Sequence, residues 1–261
     1  MGSNRLGRLL DTKPWRRVVE RIAAGDSAAV VAGATSRAAV RGLERGEWDK
    51  GVARVVFLLA RTAVAARTDD FARALAAVDV RVPHAPGLFD LTAGLTAAVQ
   101  TWHSANSGRR TDLGEMAALA AAECLAALVG DHATGLFPTG DEVRNAVRDF
   151  STANGFQALG HDYFARFARR FLLYHLGREL SQHVGGARRF ADHAAHARFV
   201  ADLETHCREA AGIVRGFAGE WYAKYRSAFM GGVTERQAAG FTAKCLEKLR
   251  GELQRRGASG G

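Results

Sequence analysis

The chain has little of what breaks or cross-links a helix. Of its 261 residues only four are proline, and Pro83 and Pro86 fall together. Proline ends helices because it lacks an amide hydrogen and its ring clashes with the preceding turn. Only three residues are cysteine: Cys124, Cys207 and Cys245, scattered and with no Cys-x-x-Cys pair. That excludes a zinc knuckle and a disulfide framework, and makes each thiol a small core residue of a reducing compartment. A bilayer span needs about 20 nearly uncharged residues. Arg54 and Arg61 interrupt the apolar run VARVVFLLARTAVAA (52–66), and Glu123 interrupts MAALAAAECLAALVG (116–130). The opening MGSNRLGRLLDTK holds no apolar stretch of signal-peptide length. The expectation is a cytosolic protein without a membrane partner. Phosphate-loop, dinucleotide-fold, nucleophile-elbow and zinc-protease motifs are missing as well, so no cofactor is expected.

What is present is helix. The sequence is 48% hydrophobic and 24% charged, which suits an ordinary packed core, and its alanine-rich, proline-poor character favours helix over strand. Start and stop signals recur. Thr12-Lys13-Pro14 opens a helix to Gly25, and Asp26 opens one to about Arg45. Others cover about 47–67 and, from Thr68, to about Val78. The segment DVRVPHAPG (79–87) is a connection holding the one strand-like run. Helices follow over about 88–104, from Thr111 to Asp131, from the capping box Thr139–Glu142 to Phe150, and over 156–184. Gly185-Gly186 precedes a long helix over about 188–229, and Thr234 with Gln237 opens the last, to about Arg256. This predicts an all-α bundle of nine or ten helices, either one body or two closely packed lobes. The lobes would be residues 1–106 and 111–256, joined by the linker SANSGRR (104–110), with a flexible tail at 257–261.

The net charge is +9, and 31 of the 36 basic residues are arginine. The excess is spread evenly over the two halves, so there is no basic tail. One stretch stands apart. Between residues 166 and 189 lie six arginines and a single acid, Glu179. At about 100° per residue the aromatic residues Phe156, Phe164, Phe167, Phe171 and Tyr174 share one side of that helix. Leu173, Leu176 and Leu180 take nearly the opposite side. A helix apolar on two sides belongs at the centre of a bundle.

Three chemistries compete for its polar residues. His175, Glu179 and His183 recur at i, i+4 and i+8, with His161 on the same stripe and His193-x-x-His196 nearby, as a metal site requires. One carboxylate among so many arginines disfavours a cation, so no metal is expected. A second pattern is Arg-x4-His, at Arg170–His175, Arg178–His183 and Arg188–His193. This resembles the R-x4–6-H signature of HEPN-domain proteins, which are small all-helical folds. The resemblance covers the motif and the all-α character, not the chain. It implies a metal-independent ribonuclease in which Arg178 stabilises phosphate charge and His183 does general acid–base work on an RNA 2′-hydroxyl. Glu179 would match the polar residue that often follows the arginine. The third pattern is a binding surface of Arg166, Arg169, Arg170, Arg188 and Arg189, suited to RNA, DNA or an acidic protein.

The long helix carries a heptad seam. Val200, Leu203, Cys207, Ala210, Val214, Phe217 and Trp221 recur at alternating intervals of three and four. It serves either the chain's own bundle or an interface with another subunit through Val200, Leu203, Val214, Phe217 and Trp221. The favoured expectation is a non-catalytic accessory subunit that contacts nucleic acid or a protein partner in a larger complex through its Arg/His-rich helix. A ribonuclease centred on Arg178 and His183, and a purely structural helical component, are the alternatives.

Overall fold

The computed structural model describes residues 11–47, 49–106, 111–131, 138–227 and 232–259. Among them are eleven helices and no strand: α1 Lys13–Ala23, α2 Ala28–Ala38, α3 Val40–Glu47, α4 Lys50–Ala65, α5 Phe71–Ala76, α6 Leu88–Asn106, α7 Asp112–Gly130, α8 Gly140–Asp149, α9 Ala153–Gln182, α10 His193–Ser227 and α11 Glu235–Ser259. The fold is an all-α multi-helix bundle. The strand-like run 80–82 is a connection, with Val80 fully buried.

Most helix starts follow local chemistry. Thr111 Oγ1 accepts the Gly114 amide, and Thr139 and Glu142 form a reciprocal capping box. The Thr234 amide donates to Gln237 Oε1 while the Thr234 hydroxyl accepts the Gln237 amide. Several boundaries differ from the sequence reading. Ser27, not Asp26, caps α2, and the expected helix to residue 45 breaks at Ala39. Four residues earlier the Thr35 hydroxyl donates to the Val31 carbonyl, a back-bond that bends helices. The long helix begins at His193 rather than 188, because residues 183–192 form a tethered turn. Gly185 and Gly186 take positive φ, the Gly185 amide donates to the Phe190 carbonyl, the Phe190 amide donates to that of His183, and Asp192 Oδ1 accepts the Ala195 amide. Finally, α11 continues through Gly257, which is buried, to Ser259.

The helix α9 lies at the centre, flanked by α10 and α7, while α11 packs against α2, α3, α4 and α10. One contiguous set of buried apolar side chains runs from Trp15 in α1 to Leu253 in α11. Both sides of the 104–110 segment therefore share a core; residues 107–110 of that segment lie outside the described residues. One of the apolar runs also corrects the membrane reading. Among the described residues α7 alone has the length and composition of a membrane-crossing helix, and less than half of it is buried. In the bundle it packs against α4, α6, α8 and α9.

Candidate functional site

Most of the arginines of the 166–189 stretch are engaged by carboxylates or carbonyls of this same chain. Arg166 Nε lies 2.5 Å from Asp162 Oδ2, and Arg208 Nη1 lies 3.2 Å from the other oxygen. Arg169 pairs with Glu204 on α10 at 3.1 Å. Arg170 grips Glu123 on α7 with two bonds, Nε–Oε2 3.2 Å and Nη2–Oε1 2.5 Å, the fork geometry that favours Arg over Lys. Arg189 donates to the carbonyls of Ile22 and Asp26 at the end of α1, and its guanidinium lies over the rings of Phe190 and Phe199. Burial lowers its affinity for a proton. The exposed Arg188 donates to the Gln182 carbonyl at 2.8 Å. Arg169, Arg170 and Arg189 are thus braces to other helices, and the arginines of the stretch point to several places around α9.

The histidine stripe also divides. His175 packs into an aromatic nest, with ring centroids 5.0 Å from Trp15, 5.0 Å from Phe171 and 5.1 Å from Tyr174. Burial pushes its pKa down to about 4. His161 is held from both sides: its Nε2–H donates to the Arg208 carbonyl at 2.8 Å, and Nδ1 accepts from Arg215 at 3.1 Å. A carbonyl only accepts and a guanidinium only donates, so the ring is neutral with its proton on Nε2. Burial and the nearby Arg215 lower its pKa. His183 closes α9 and lies 3.2 Å from Glu179. Arg178 is exposed and makes no contact with a charged group among the described residues. Residues five apart point about 140° away from each other on a helix, so α9 itself does not converge Arg178 on His183. Among the described residues no three His, Cys, Asp or Glu side chains gather as a metal-binding group.

The heptad seam of α10 faces inward. Leu203, Cys207, Ala210 and Val214 are fully buried. Trp221 stacks on Phe241 of α11 at 4.1 Å, and Phe217 meets the same ring edge-on at 5.8 Å. Val200, near the start of the seam, is half-buried and opens onto a trough.

That trough brings several of the predicted residues together. It holds about 450 Å³ between α7, α9 and α10. Its floor is Leu173, Gly177 and Leu180 of α9. Met116 and Leu119 of α7 form one wall, and Val200 and His196 of α10 form the other. Arg169 and Arg170 stand at one end with their carboxylate partners. At the other end Tyr174 donates its hydroxyl to Asp112 at 2.8 Å, beside Glu115. On the far side of α7 a shallower hollow of about 590 Å³ is lined by Leu88, Phe89, Thr92, Ala122, Ala126 and Pro138. Phe89 there is 82% exposed and Leu119 is 45% exposed.

Reading the sequence located Arg169 and Arg170 but missed α7. Its outward residues Leu119, Ala122 and Ala126 recur at helical spacing on an otherwise core-like helix, and the signal was the unusual apolarity of 112–130. Comparison of the chain with protein-family models, with curated proteins and with solved structures finds no match.

Proposed function

We propose that the protein is a non-catalytic helical accessory subunit that binds a protein partner in the trough between α7, α9 and α10. The observation that carries this reading is α7 itself: a helix as apolar as a core helix that leaves Leu119 exposed on the wall of an apolar trough, with Ala122 and Ala126 facing the hollow on its far side. Exposed apolar side chains beside a concave, charge-rimmed surface are the mark of an interaction site. The reading keeps Arg169 and Arg170 as contact residues, now at the end of the trough. It favours protein over nucleic acid because phosphates would have to displace carboxylates from Arg166, Arg169 and Arg170.

The test places a photo-crosslinking residue at Leu119 and, as control, at Ile213, which is 40% exposed on α10 outside the trough. Expressed in its native cells, the protein should give an adduct of one defined mass from position 119 and not from position 213. No adduct, or equal labelling at both, defeats the reading. So does chelator-resistant RNA cleavage by the purified protein that is lost in both Arg178→Ala and His183→Ala, which would establish the ribonuclease instead.

A further inference from the structure

We infer that the occupant of the trough is a short amphipathic helix of a partner protein with basic residues at one end. This rests on the partner-binding reading above and adds the chemistry of the partner. The first argument is the backbone. An extended peptide needs an exposed strand edge to satisfy its amides and carbonyls. All three walls of this trough are helices, whose backbone groups bond within themselves. A helical segment arrives with its own backbone satisfied and needs only side-chain contacts.

The second argument is shape. Tyr174 meets Asp112, while Cys124 Sγ–H donates to the Leu159 carbonyl at 3.6 Å, so α7 runs antiparallel to α9. The pairs Arg169–Glu204 and His161–Arg208 set α10 antiparallel to α9 as well. The slot above α9 is therefore the place of one more helix. From Arg169 to Leu180 it spans roughly 16 Å, about three turns. Leu173, Gly177 and Leu180 repeat at i, i+4 and i+7, the spacing of one helical face.

The third argument is charge. The end with Arg169 and Arg170 is neutralised by Glu204 and Glu123. At the opposite end Asp112 and Glu115 face no cation among the described residues. Among the described residues the trough thus carries more acid than base, inside a chain of net charge +9. Its complement is a helix with apolar residues at i, i+4 and i+7 and Lys or Arg in the turn that reaches Glu115.

The test is fluorescence anisotropy with three labelled 14-residue helical peptides. One has the leucine stripe and a lysine end, its twin has glutamate in place of lysine, and the third is a scramble of the first. The lysine peptide is expected to bind best. Leu119→Asp, checked for folding by circular dichroism, should weaken it about tenfold or more, and Glu115→Lys should invert the preference between the twins. Preference for the glutamate twin, which the overall charge alone would give, overturns the inference. So does binding indifferent to Leu119→Asp, or equal binding of both twins. Binding to phosphatidylserine vesicles that Leu119→Asp abolishes, with no peptide bound, also overturns it and makes the α7 face a lipid contact. None of these outcomes alters the crosslink expected at position 119, which judges the partner reading separately.

Discussion

Single charged residues in this protein work as joints. The Asp162 side chain is only 6% exposed, yet its two oxygens hold Arg166 of its own helix and Arg208 of α10. Removing one member of such a set leaves the others desolvated and unpaired. Asp162→Ala is expected to cost about 3 kcal/mol, read from urea unfolding. His175 makes the complementary case, a titratable ring used as an aromatic. Burial lowers its pKa to about 4 from an unfolded value near 6.5. Between those values the unfolded chain binds more protons than the folded one, so stability rises with pH across that window. The contribution is complete above about pH 6.5 and is lost as pH falls towards 4. Burial acts in the same direction on His161 and His206. His175→Phe, which suits the nest of Trp15 and Phe171, should leave the melting temperature at pH 7 within a few degrees. It should also visibly flatten its decline between pH 7 and 5. An unchanged decline would remove His175 from the acid response.

At the scale of elements, α2 and α11 cross backbone against backbone. A Cβ on Gly33 would lie 2.8 Å from Gly257 Cα, and one on Gly257 would lie 2.6 Å from Gly33 Cα. Only glycine at both positions lets the two backbones meet. Gly33→Leu should destabilise the fold by several kcal/mol, since the obstacle is backbone and has no rotamer to yield. Gly251, also within α11 but with nothing within 4 Å of an added Cβ, gives the opposite sign. Gly251→Ala should stabilise by about 0.5–1 kcal/mol through helix propensity, and thermal denaturation of the pair separates packing from propensity. Nothing local distinguishes Gly251 from Gly257, which is why the sequence ends α11 too early, at Arg256. The same limit runs through the molecule. Thr111, Thr139–Glu142 and Thr234–Gln237 were legible because a cap and its amide lie three residues apart. The heptad seam was legible because its period is local, although which helix it meets was not. The basic stretch misled because the acids that neutralise it are distant in sequence, with Glu123 47 residues from Arg170. The trough was half visible, through Arg169 and Arg170 on α9. Its α7 wall was hidden because apolarity alone does not say which side of a helix is left uncovered.

At the scale of the whole molecule, the shared core predicts a single cooperative unit. A single core takes side chains from α1 to α11, and Arg54 of α4, buried, reaches both Asp79 after α5 and Glu235 in the first turn of α11. Near-ultraviolet and far-ultraviolet circular dichroism should therefore report one coincident thermal transition. Two separated transitions would restore the division into lobes. The packing of α11 against α2, α3 and α4 also has a consequence for how the chain is made. Between Ala65 and Glu235 roughly 170 residues intervene. At about 5–20 residues per second the ribosome delivers α11 some 10–30 seconds after α4 has emerged. Throughout that interval the apolar faces of the first helices wait without their final cover. Premature termination anywhere before α11 would leave those faces open to aggregation.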